Sequence, residues 1–129
     1  MKAKAALLVV AIVALDVVLA GVAGAGGAAA TKITIKGPNG DFEGKIRSTS
    51  ESCLGDRRVS VFRQAGDTQD PRNDERIASD TSEQQGTVGT WSVGNTGERD
   101  GKFYAKVGKA PGCKGARSRT LELVDGKPQ

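Results

Sequence analysis

The densest run of oxygen donors in the chain is Gly66-Asp67-Thr68-Gln69-Asp70-Pro71-Arg72-Asn73-Asp74-Glu75. Hard cations such as calcium take six to eight oxygens from a folded loop, so Asp67, Asp70, Asn73 and Asp74 are the candidate cation ligands. The spacing matches no EF-hand, because a glycine at the required turn and a closing glutamate are both missing, and a solvated polar loop is the simpler reading. A second constellation is cationic. Arg57, Arg58, Lys114, Arg117 and Arg119, with Lys109, lie near the two cysteines in sequence and are a candidate polyanion patch. Aromatic residues for stacking on bases are absent nearby, and Asp56 and Glu122 dilute the charge, so scattered surface charge is the alternative. An acidic glycan fits such a patch better than nucleic acid.

Catalytic arrangements are harder to find. The chain has no histidine, which removes the commonest base near neutral pH and a frequent metal ligand. The hydroxyls of Ser48-Thr49-Ser50-Glu51-Ser52 and Thr81-Ser82 therefore lack an activating imidazole, and no GxSxG elbow occurs. Asp74, Glu75 and Asp80 lie close enough in sequence to pair for glycoside hydrolysis, but a thin sandwich offers little concave volume for such a site. No cofactor motif is present, and the expectation is a non-enzyme with no cofactor.

Residues 1–30 supply an address. Lys2 and Lys4 precede an apolar run from Ala5 to Val18, and small residues follow as far as Thr31, the layout of a secretory signal helix. Asp16 costs about 2.5–3.5 kcal/mol inside that run, an amount its apolar neighbours outweigh. The run is shorter than the ~20 residues a spanning helix needs, so the membrane is met only if the segment stays uncleaved. Cleavage sites of the right composition are Ala23-Gly24-Ala25 and Ala28-Ala29-Ala30, and both stay open on sequence grounds. Neither a lipid-attachment cysteine nor a sorting motif is apparent, so secretion is the expectation. Cys53 and Cys113 are the only cysteines, and in an oxidising compartment they are expected to form a disulfide. Closing so long a loop is worth about 4 kcal/mol in the chain-entropy model.

The elements that must position these residues read as strands. The formal net charge of +4 is mild, and the loss of Lys2, Lys4 and Asp16 with the leader lowers it by one, which favours solubility without implying nucleic acid. Short runs rich in Val, Ile, Thr and aromatics alternate with Gly, Pro, Asn and Asp. They predict strands over 32–36, 41–47, 57–64, 75–80, 87–93, 102–107 and 116–124, with Phe42 and Ile46, Val59 and Val61, Trp91, Phe103 and Leu121 and Leu123 inward. Phe62 and Tyr104 are expected on the opposite face. Trp91 is the expected core centre. The expectation is an all-β chain, a single seven-stranded antiparallel β-sandwich over 31–124, with 1–30 as signal and 125–129 as a frayed, flexible tail. The edge run 32–36 could pair with a second chain.

Several stretches together resemble a known family. They are Asp41-Phe42-Glu43-Gly44-Lys45-Ile46, Arg58-Val59-Ser60-Val61-Phe62, Ile77-Ala78-Ser79-Asp80-Thr81, Gly89-Thr90-Trp91-Ser92-Val93 and Gly101-Lys102-Phe103-Tyr104-Ala105-Lys106-Val107, with Cys53 and Cys113. Their order resembles the transthyretin-like, or carboxypeptidase-regulatory-like, β-sandwich of secreted bacterial proteins, within the wider immunoglobulin-like architecture. It is also similar to the B-type repeats of bacterial surface adhesins. The resemblance implies a scaffold and carries no active site with it. Adhesin repeats commonly hold a Lys-to-Asn isopeptide bond in the last strand, but the asparagines here are Asn39, Asn73 and Asn95, all in expected turns. The transthyretin-like hydrolases need histidines and a Tyr-Arg-Gly-Ser ending that this chain lacks. The expectation is therefore a secreted, non-catalytic structural or binding module whose partner is a cell-surface glycan or protein. A calcium- or polysaccharide-binding accessory domain is the alternative, and a small hydrolase the remote one.

Overall fold

The computed structural model describes residues 27–129, so the expected signal helix falls almost entirely outside the described residues. Strands β1 (Thr31–Ile33), β2 (Phe42–Ser48), β3 (Arg58–Arg63), β4 (Glu75–Thr81), β5 (Glu83–Gln85), β6 (Val88–Val93), β7 (Gly101–Val107), β8 (Ala116–Arg117), β9 (Leu121–Val124) and β10 (Lys127–Pro128) pair antiparallel. They form two sheets, a four-stranded one ordered β1-β2-β6-β5 and a six-stranded one ordered β10-β9-β7-β3-β4, with β8 on β7. The chain is thus an all-β sandwich.

Alternation along each strand places the core between the sheets. Ile33, Phe42, Ile46 and Trp91 come from one sheet, and Val59, Val61, Phe103, Ala105, Val107, Leu121 and Leu123 from the other. Phe42 and Phe103 meet with ring centroids 5.0 Å apart. Burying each ring of this size contributes about 1.5–3 kcal/mol. Trp91 is only 3% exposed and stands opposite Gly44 in the β2–β6 register. A methyl group on Gly44 would collide with the Thr34 carbonyl and come within 2.7 Å of the indole nitrogen, so glycine is required there by space.

Every expected strand is present in some form, and the departures have local causes. The run over 32–36 yields only β1, because Lys45 donates its N–H to the Thr34 hydroxyl at 3.0 Å where a ladder carbonyl would stand. Pairing resumes at Lys36 and Glu43. The run over 116–124 splits into β8 and β9 by the same device: Ala105 N–H donates to the Ser118 hydroxyl at 2.8 Å. Strand β5 was not expected, since Glu83, Gln84 and Gln85 are all exposed and carry no apolar signal. The chain crosses between sheets at Ser82, whose buried hydroxyl donates to Leu54 O and accepts from Arg57 N–H.

Pairing extends past both ends of the expected 31–124 sandwich. Residues 125–129 are not a free tail. Asp125 and Gly126, with φ of 53° and 79°, form a two-residue turn of the kind that matches strand twist, and β10 pairs back on β9. Gly126 O also accepts from Asn39 N–H, and Gln129 N–H donates to Glu122 O. At the other end the fold begins before Thr31. Ala29 N–H donates to Gly112 O, Lys114 N–H donates to Ala29 O, and Ser48 Oγ donates to Ala30 O.

Candidate functional site

The acidic loop folds back over the outer face of the six-stranded sheet. There Phe62 and Tyr104 stack at 5.4 Å, both buried, as a second small core that the alternation of β3 and β7 directs away from the main one. Asp74 reaches inward to meet them. Its Oδ1 accepts from Ala65 N–H at 3.0 Å, and its Oδ2 accepts from Asp70 N–H at 2.7 Å and from Tyr104 OH at 2.6 Å. Asp70 accepts from Arg72 N–H and from the Asn73 side-chain amide, while Asp67 is exposed. The Asp70 and Asp74 carboxylates thus accept donors from their own fold, and no group of three or more His, Cys, Asp or Glu side chains that could hold a metal ion is found among the described residues. Of the expected ligand set, Asp70, Asn73 and Asp74 form a structural brace, fastened further by Gln69 donating to Ser118 O and the Thr120 hydroxyl, while Asp67 stays at the surface outside it.

This brace predicts a pH response. The Tyr104 hydrogen bond, then the amides of Ala65 and Asp70, hold the Asp74 carboxyl below its ordinary value of 3.8. Burial, reinforced by Asp74, pushes the Tyr104 phenol well above its ordinary value. A carboxyl depressed by folding contributes stability above its unfolded pKa and loses it as pH falls through the folded one. Asp74→Asn should therefore melt several degrees lower than the parent at pH 7, with the gap closing below about pH 4. Thermal melts at pH 7 and pH 3 check this, and an equal gap at both would contradict it.

The cationic constellation divides in two. Arg57 does not belong to a surface patch, because it is 2% exposed. Its guanidinium donates to Thr31 Oγ1 at 3.3 Å, Cys53 O at 2.8 Å, Gly108 O at 2.8 Å and Lys114 O at 2.9 Å, joining four segments. All four acceptors are neutral oxygens, Nε has no partner, and burial lowers the pKa of the group. Arg58, Lys114, Arg117 and Arg119 are exposed, as expected. Arg117 stands opposite Lys106 in the β7–β8 register. With Lys109, these two wall a cleft of about 270 Å³ floored by Val107, Gly108, Gly115 and Ala116. The side chains lining this cleft do not include Arg58, Lys114 or Arg119. Lys106 stands outside the basic run of the sequence, although alternation from Tyr104 puts it on the same outer face.

Other candidates are committed elsewhere. Salt bridges among the described residues are Lys36–Glu43, Arg63–Glu75 and Arg63–Glu98. Arg63 also lies 5.4 Å from the Phe103 ring centroid. Asp80 accepts from Ser92 N–H at 2.8 Å and helps close the sandwich beside β6. Glu75 and Asp80 sit near the two ends of β4, about 16 Å apart at strand rise. Paired glycosidase carboxylates stand about 5–9.5 Å apart. Ser50 and Ser52 bond each other at 2.9 Å. A larger groove of about 560 Å³ crosses the four-stranded sheet, where Lys36, Lys45, Glu43 and Glu83 mix both signs of charge.

Cys53 and Cys113 form the expected disulfide, with Cα atoms 5.7 Å apart and both residues buried. The bridge joins the turn before β3 to the loop between β7 and β8, beside the Ala29–Cys113 pairing. Disulfides of this kind are more typical of extracellular proteins. No helix among the described residues is long and apolar enough to cross a membrane. No family model matches this chain, and a search of curated proteins finds no match to it.

Proposed function

We propose that this chain is an exported, non-catalytic β-sandwich module with a structural or binding role at or outside the cell surface. The observation that carries the reading is the buried Cys53–Cys113 bridge in a chain whose first residues have the layout of a secretory signal. The commitment of Asp74, Asp80 and Glu75 to the fold supports a scaffold over an enzyme. On this reading the transthyretin-like resemblance describes the scaffold alone. A polysaccharide-binding accessory role is the second reading, favoured by the exposed cations that have no carboxylate within salt-bridge distance.

The hydrogen bonds of Ala29 and Ala30 favour one processing site over the other. Cleavage after Ala30 would discard the Ala29 pairing with Gly112 and Lys114, whereas cleavage after Ala25 keeps it. The mature chain then begins at Gly26. Deleting residues 1–25 should keep the protein inside the cell with both thiols free. The full chain should appear outside, oxidised, and inert toward ester, glycoside and peptide substrates. Export of the shortened chain, or turnover of any of these substrates, would contradict the reading.

A further inference from the structure

The geometry points to the cleft between β7 and β8 as the binding site for an acidic polysaccharide, with Lys106, Lys109 and Arg117 as the residues that engage its sulfate or carboxylate groups. The inference rests on the binding-module reading above and names its partner class and contact residues.

Three features carry it. The first is the sign of the charge. Lys106 and Arg117 are direct cross-strand partners, an arrangement that costs stability through like-charge repulsion, and no carboxylate among the described residues lies within 4.0 Å of either. The second is the buried charge below. Arg57 binds the carbonyls of Gly108 and Lys114, which bracket the cleft, and all its acceptors are neutral. Its charge reaches the cleft through protein, where salt screens poorly. The same bonds hold the Gly108–Gly115 loop in shape, so the cleft is formed before any ligand arrives.

The third is what the surface lacks. Phe42, Phe62, Trp91, Phe103 and Tyr104 are all buried, and Val124 is the only large exposed apolar side chain among the described residues. Single-stranded nucleic acid is held by stacking on aromatic platforms as well as by charge. A polymer recognised through its anionic groups alone needs no such platform. The floor of Val107, Gly108, Gly115 and Ala116 is small-sided, and a Cβ on Gly108 would meet nothing within 4 Å, which leaves room there for a projecting anionic group.

The test uses the mature oxidised protein with dextran sulfate, polygalacturonate and oligo(dT) as probes at a series of salt concentrations. Lys106→Gln with Arg117→Gln removes two cleft charges. Lys45→Gln with Lys127→Gln removes the same net charge from the opposite sheet and from β10, at the other end of β7. The expected result is salt-sensitive binding of one or both polysaccharides, weakened about tenfold in the cleft variant, with the salt slope reduced by about one per cation removed. The control variant should bind as the parent does. An equal loss in both variants would place the effect in net charge and overturn the site. Absence of polysaccharide binding at low salt, or tighter binding to oligo(dT), would overturn the partner class. All these outcomes leave the export reading standing, since that is judged by location and thiol state.

Discussion

Cys53→Ala with Cys113→Ala should lower the melting temperature by about 15–30 °C. The bridge spans a sequence separation of 60, which corresponds to about 4 kcal/mol in the chain-entropy model. For a domain of this size each kcal/mol moves the midpoint by about 4–8 °C. Stabilities of such domains run about 5–15 kcal/mol, so the loss is a large share of the whole. The consequence is local as well as global. The half-cystines fasten the turn at Glu51–Cys53 to the loop carrying Ala110 and Gly112, and Ala29 pairs onto that same loop. Alanine is the appropriate replacement because both positions are buried, and a serine hydroxyl would add a desolvation cost. Melting the parent in reductant should reproduce most of the shift, and a change of only a few degrees in either experiment would contradict this account of the stability.

Arg57→Met should destabilise the domain by about 3–5 kcal/mol. Methionine preserves much of the stem's packing but supplies no donor, so the carbonyls of Cys53, Gly108 and Lys114 and the Thr31 hydroxyl all lose a charged partner. A hydrogen bond to a charged group contributes about 1.5–3 kcal/mol, and unsatisfied buried acceptors cost about 1–3 kcal/mol each, with incomplete additivity. Arg57→Lys should recover little, since one ammonium cannot present the planar fork that reaches these segments together. Urea unfolding of the three proteins measures the effect. A loss under 1 kcal/mol for Arg57→Met, or full recovery with lysine, would show that the fork does not hold these segments. The same residue supports the cleft, so Arg57→Met should also loosen the Gly108–Gly115 loop, visible as faster amide exchange there.

Much of the sandwich was legible in the sequence because its physics is periodic. Phe42 and Ile46, Val59 and Val61, and Phe103, Ala105 and Val107 recur on one face of their strands at the two-residue period, and all of these apolar residues are buried. The disulfide was legible from the cysteine number together with the signal-like layout of the first thirty residues. Strand β5 was not, because Glu83-Gln84-Gln85 pairs through its backbone alone at an open edge. The interruptions at Thr34 and Ser118 were equally hidden, since a hydroxyl that replaces a ladder carbonyl looks like any other strand residue. The Asp125-Gly126 pair, by contrast, was a readable hairpin signal that its terminal position disguised.

The candidate site divided along similar lines. Composition located the carboxylates of the 66–75 loop but could not distinguish cation ligands from caps. That distinction depends on Tyr104, which lies 30 residues from Asp74 and reaches it only through the pairing of β3 with β7. Arginine is almost never fully buried unless paired, so Arg57 read as surface charge beside Arg58. Its burial follows from the convergence of Thr31, Cys53, Gly108 and Lys114, which are distant in sequence. The basic cleft itself arises from the β7–β8 register, which sets Lys106 against Arg117.

The most direct measurement of the central claim is the intact mass of the protein recovered outside the cytoplasm, taken with and without thiol alkylation. The predicted result is a chain beginning at Gly26, lighter than its reduced form by two hydrogens and taking up no alkylating agent. A full-length chain with two alkylatable cysteines would contradict export and oxidation together.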